Sequence, residues 1–226
     1  MKITQPRIVL PLAVAALLQV ATVHADGPGA YRSGSAGPQQ PPAVQAQNAY
    51  DAGVAFLEQA ARHEQLAEAG EGKRASDKAR AAAAKAYKKA LAQFDIARRI
   101  DPASYEAHTY AGFANRKLGR YDRSLDAYAA ALRLKPDYGP AVEYQGEAFL
   151  ALNRVQDAKL NYLRLYALAP PLADKLLAAM QKWLEMRKVD AQGADPAEID
   201  AMASWVSEQT SRQSRSAGSE DAAAAW

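Results

Sequence analysis

The chain has 226 residues, 49% hydrophobic and 23% charged, a balance suited to one modest globular unit with polar tails. Its net charge is +3, and loss of Lys2 and Arg7 with an amino-terminal leader would leave 26 basic and 25 acidic side chains, so neither nucleic acid nor an anionic membrane is expected as partner. With no cysteine, disulfides, thiolate metal sites and thiol catalysis are excluded.

Residues 1–25 have the pattern of a secretory signal. Lys2 and Arg7 give a positive start, and the stretch from Ile8 to Val23 carries no charge. That stretch contains Pro11, Gln19 and Thr22 and falls short of the ~20 residues a spanning helix needs. Val23 and Ala25 place small side chains three and one residues before a cut between Ala25 and Asp26. The expectation is a periplasmic or secreted protein with no stable membrane anchor after cleavage. Residues 26–45, rich in Gly, Pro, Ser and Gln, read as a flexible linker.

From residue 46 the composition turns to Ala, Leu, Arg and Glu, which favours helix. Gly70-Glu71-Gly72 interrupts this run and predicts a hairpin of two helices, near 46–69 and 75–100. A repeat then becomes visible. Pro102, Pro136 and Pro170 recur with a period of about 34 residues. The same offset aligns Tyr87, Tyr121 and Val155, and then Ala90, Ser124 and Ala158. It also aligns Phe94, Tyr128 and Tyr162, and Ala97, Ala131 and Leu165. Small side chains in such columns let helices approach closely, the aromatic fills the gap, and proline stops the helix.

These columns resemble the tetratricopeptide repeat (TPR) family, in which a small residue, an aromatic four later and a closing proline mark the second helix of each pair. The first helices carry matching features: Gly112 with Leu118-Gly119, and Gly146 with Leu152-Asn153. His108 and Val142 replace the family's bulky Trp, and Asn115 replaces its Tyr. Gly53, within Tyr50 to Phe56, supplies the glycine of a first pair, into which about 25 residues have been inserted before Tyr87. Each arm of the resulting hairpin should overshoot a standard repeat helix by about 10 residues, or ~15 Å.

After Pro171, Leu176, Leu177, Met180, Trp183 and Leu184 lie at helical spacing, as in a capping helix over the last open face of an array. Asp195-Pro196-Ala197-Glu198 reads as a helix start, leading to Ile199, Met202, Trp205 and Val206. The expected fold is all-α: a short TPR-type solenoid of about three helix pairs, the first drawn out into a long coiled hairpin. Its parts are the hairpin at 46–102, repeats at 103–136 and 137–170, a capping helix at 171–190, a last helix at 195–212, and a disordered tail at 213–226.

Catalysis finds no candidate. Beyond the leader only His63 and His108 offer an imidazole; the first suits a solvated helix face and the second a position between helices. His63 with Glu64 or Glu68 lacks a second histidine at ligand spacing, so no metal and no cofactor is expected. Glu143 and Glu147, four residues apart, are an ordinary helical pair. Gly70-Glu71-Gly72 lacks the preceding strand and spacing of a phosphate loop, and Lys88-Lys89 and Arg98-Arg99 read as solvated faces.

What the family resemblance implies is a non-catalytic scaffold or adaptor of the bacterial cell envelope. It would bind a peptide or helix segment on the concave side lined by first helices. Register with the family turns Tyr50, Val54 and Leu57 of the first pair inward. The second pair contributes Glu106, Thr109, Tyr110, Phe113 and Arg116, and the third Glu143, Tyr144 and Glu147. Aromatic side chains there offer contact area with few rotamers to freeze, although rings at helical spacing also serve as core. The carboxylate clamp that some members use needs Lys, Arg and Asn; three glutamates against Arg116 argue for a basic or amphipathic partner instead. An alternative is a structural subunit of an envelope assembly or secretion machine, docking a membrane-protein loop. The open ends of so short an array also invite a homodimer.

Overall fold

The computed structural model describes residues 40–70 and 72–223; the leader, residues 26–39 of the linker, and residues 224–226 lie outside that range. Eight helices follow one another: α1 (Pro42–Ala69), α2 (Lys73–Ile100), α3 (Tyr105–Lys117), α4 (Tyr121–Leu134), α5 (Gly139–Ala151), α6 (Val155–Leu168), α7 (Pro170–Val189) and α8 (Pro196–Ala223). There is no strand among the described residues. Each helix packs on the next, and α5 also meets α3 on one side and α7 on the other. This is the all-α helical array expected.

The repeat columns are the packing seams. Ala90, Ser124 and Ala158 are fully buried, and so are Phe94, Tyr128 and Tyr162 one turn on. A Cβ added to Gly112 would stand 2.6 Å from the Tyr128 ring, and one added to Gly53 would stand 2.6 Å from Phe94. Only glycine admits those rings. The stretch from Gly53 to Phe94 is far longer than that from Gly112 to Tyr128, so the first pair carries its insertion between equivalent contacts.

That insertion forms the outer part of the α1–α2 hairpin. Each arm has 28 residues against 13 or 14 in α3 to α6, a larger excess than the ten or so anticipated. The difference comes from the ends. Helix α1 begins at Pro42, inside the stretch read as linker, because proline is preorganised for the first helical position. Gly72 takes φ 97° at the turn, and Ser76 Oγ donates to the Ala67 carbonyl at 2.8 Å across it. Alanine dominates the buried seam, with Ala46, Ala49, Ala60 and Ala67 facing Ala83, Ala86, Ala90 and Ala97.

The turns within the second and third pairs use left-handed residues at equivalent places, Gly119 at φ 72° and Asn153 at φ 57°. Asn153 also bonds the far end of the array: its Nδ2 donates to the Gln192 carbonyl at 3.0 Å, and Arg187 Nε donates to its Oδ1 at 3.0 Å. Beyond it, Leu176, Leu177, Met180, Trp183 and Leu184 of α7 share one core with Met202 and Val206 of α8, with Ile199 and Trp205 packed against it. Asp195 caps α8 by accepting from the Ala197 amide at 2.9 Å. Helix α8 continues to Ala223, past the end expected at 212 and through most of the stretch read as a disordered tail.

Candidate functional site

The first helices of successive pairs, α1, α3 and α5, bring aromatic residues together in separate groups of ring contacts. Tyr50 of α1 meets Tyr110 of α3 edge-on, with ring centroids 5.9 Å apart, and Phe94 of α2 stacks behind Tyr110 at 5.6 Å. Phe113 of α3 lies 4.9 Å from Tyr144 of α5 and 6.2 Å from Tyr87 of α2. Tyr105, at the start of α3, packs edge-on against Tyr138, the N-cap of α5, at 4.8 Å.

The charged residues on this side divide into two groups. Toward α5, Arg116 pairs with Glu147 while its guanidinium covers the rings of Phe113 (5.2 Å) and Tyr144 (5.7 Å). Burial opposes the arginine's charge, but Glu147, Tyr128 and Glu143 outweigh it and raise its pKa. Glu143 is only 5% exposed. Burial, and then the neighbouring Glu147, push its carboxyl up to about 8, with Arg116 and Lys175 of α7 pulling the other way. Burial likewise raises the Tyr128 and Tyr144 hydroxyls well above the usual phenol range. Toward the hairpin, Lys117 bridges to Glu64 of α1 at 2.7 Å and lies 5.6 Å from the Tyr87 ring.

Near the start of α3, the charge of Glu106 acts on four tyrosine hydroxyls. Burial raises those of Tyr50, Tyr110 and Tyr138, and the charge of Glu106 raises each further. Tyr105 is raised first by its hydrogen bond with Glu106. Lys135, the C-cap of α4, places its ammonium 4.8 Å from the Tyr105 ring centroid and 5.9 Å from that of Tyr138.

The eleven residues read from family register therefore separate by depth. Tyr50, Val54, Glu106, Phe113, Arg116, Tyr144 and Glu147 are partly exposed, so an approaching chain can reach them. Leu57, Thr109, Tyr110 and Glu143 are buried. Thr109 spends its hydroxyl on the Tyr105 carbonyl at 2.8 Å, and Tyr110 forms the back wall of the tyrosine cluster. Tyr105 and Tyr138 do not stand out in the sequence, because their separation falls one position short of the repeat period. Lys175 does not stand out either, since only the packing of α7 on α5 brings it near Glu143.

Among the described residues no group of three His, Cys, Asp or Glu side chains is placed to hold a metal, and no helix is long and apolar enough to cross a membrane. His108 sits half-buried with Nε2 3.2 Å from the Pro102 carbonyl. No family model and no curated protein matches the sequence. Among solved structures the chain is similar to the first TPR of Spaghetti (RPAP3) bound to the HSP90 peptide SRMEEVD. Identity is 18% and the TM-score 0.41, with 59% of this chain and 94% of that one covered. What decides the assignment is this chain's own helix pairing, with Gly53 and Gly112 seated on the aromatic column. The array is TPR-like.

Proposed function

We propose that this TPR-like chain is a non-catalytic adaptor, exported to the bacterial envelope, that takes a peptide or helix segment of another protein along its first-helix face. One observation carries the reading: Tyr50, Phe113, Tyr138 and Tyr144 form a partly exposed aromatic surface across three successive first helices, edged by Glu106 and Glu147. Rings already held by their neighbours lose little freedom on binding and supply large contact area. The amino-terminal pattern of residues 1–25 supports export.

The test is capture from an envelope extract of the source organism, using a tagged full-length chain whose mature amino terminus is sequenced. A mature chain starting at Asp26 is expected. A specific partner should be retained by the native protein and lost with Tyr144→Ala or Tyr138→Ala, both variants showing native circular dichroism. Partners held equally well by both variants would place binding elsewhere on the molecule.

A further inference from the structure

We propose that the outer side of α2, a basic stripe from Arg74 to Lys89, adsorbs this protein onto an anionic phospholipid surface. The near-balance of charge over the whole chain argued against such a partner, but it averages away a local excess. Between Lys73 and Phe94 stand seven basic residues and a single acidic one, Asp77.

The fold puts this excess on one side. Arg74, Lys78, Lys85 and Lys89 follow at intervals of four, seven and four, so the helical period aligns them, with Lys88 beside the last. All five are exposed, on the side turned away from the buried Ala83, Ala86, Ala90 and Phe94. The row is about 22 Å long. Asp77 bridges to Lys73 and Arg80, at 3.5 Å each. The five residues of the stripe make no ion pair among the described residues, although Lys89 lies 5.2 Å from the centre of the Phe56 ring.

The side chains between the cations select the kind of anionic partner. A specific protein interface is anchored by large apolar or aromatic side chains. Here the exposed apolar residues of 73–94 are only Ala75, Ala81 and Ala92. A nucleic-acid strand needs rings to stack on, and Tyr87 is buried. A lipid surface needs neither, because its headgroups are mobile and a straight row of long side chains reaches many of them at once. Export, on which this choice also rests, brings the chain to such surfaces. The stripe shares no residue with the aromatic surface of α1, α3 and α5, so the protein can hold its partner while adsorbed.

The test is co-sedimentation of the full exported chain with vesicles of phosphatidylcholine, either alone or with one part in three of phosphatidylglycerol. Binding should require the anionic lipid and weaken as salt is raised. Each cation near such a surface multiplies adsorption about fivefold, so Lys78→Ala combined with Lys85→Ala should bind about 25-fold more weakly. Arg123→Ala combined with Arg133→Ala removes the same charge from exposed positions of α4 and should bind like the native chain. All variants should keep native circular dichroism. No binding to the anionic vesicles, equal binding to the neutral ones, or equal losses in the two double variants would overturn the stripe. So would binding to duplex DNA or polyglutamate at a lower concentration of anionic groups, at the same salt. Tyr144→Ala should adsorb like the native chain, so a failure of adsorption leaves the docking face standing and a failure of partner capture leaves the stripe.

Discussion

Glu143 lies on the first-helix face with its carboxyl almost sealed from water beside Glu147. Burial, followed by that neighbour, raises it from the ordinary 4.5 to about 8, so the folded protein holds a proton there that the unfolded chain releases. Stability therefore falls as pH rises through the interval from about 4.5 to about 8, and the deficit is complete above it. Glu143→Gln removes the titration while keeping the shape. The variant should match the native protein in melting temperature near pH 4, exceed it near pH 9, and flatten the profile between. A native profile already flat from pH 5 to pH 8 would rule out the buried neutral acid. Family register was enough to put Glu143 on this face. Its depth was not legible, because that depends on α7, which brings Lys175 alongside, and on Arg116 choosing Glu147. Tyr110 teaches the same lesson: helical spacing places a ring on a face and leaves open whether another ring covers it.

The long hairpin was legible as an element because its glycines do two different jobs. Gly53 marks the close approach to Phe94, while Gly72 takes a left-handed turn conformation. Its limits were less legible. Pro41-Pro42 resembles a linker in composition yet supplies the first helical position of α1. Helix α8 likewise runs on through Ser and Arg-rich sequence, since extending a helix already nucleated costs far less than starting one. The insertion is separable from the repeat packing. Gln59 and Ala83 are equally far along the chain from the centre of the turn, so they stand opposite one another on the two arms. Among the described residues of 60–82 the buried side chains are only Ala60 and Ala67, and the Glu64 bridge to Lys117 ties the insert to α3. Replacing 60–82 by a short Gly-Ser turn should leave a cooperatively folding helical protein with its melting temperature lowered by roughly 5–10 °C. Non-cooperative melting of the shortened chain, followed by circular dichroism, would mean that the insert is part of the core after all.

At the scale of the whole molecule, stability runs from neighbour to neighbour along the array, as expected where each helix packs mainly on the next. The two ends are closed differently. The hairpin covers α3, with Tyr50 against Tyr110 and Tyr87 against Phe113. At the other end α7 and α8 close the third pair, with Trp205 of α8 edge-on to Tyr162 of α6 at 5.1 Å and Met202 fully buried. Asn153, Arg187 and Gln192 lock that end with hydrogen bonds from the third pair to the α7–α8 loop. Truncation after Ala194 removes Ile199, Met202, Trp205 and Val206, leaving Trp183, Leu184 and Tyr162 against water. Each large apolar side chain contributes about 1.5–3 kcal/mol when fully buried, so a loss on the order of several kcal/mol is expected. Because coupling is between neighbours, that loss should be graded along the chain. Hydrogen exchange should show α6 and α7 losing protection first while α1 to α3 keep most of theirs, with new binding of a hydrophobic dye. Uniform loss from α1 to α7 would show one indivisible core instead of a chain of adjoining ones. If the array does melt from this end, the aromatic face across α1, α3 and α5 outlasts its cap, and partner capture should survive truncation at temperatures where α7 is already open.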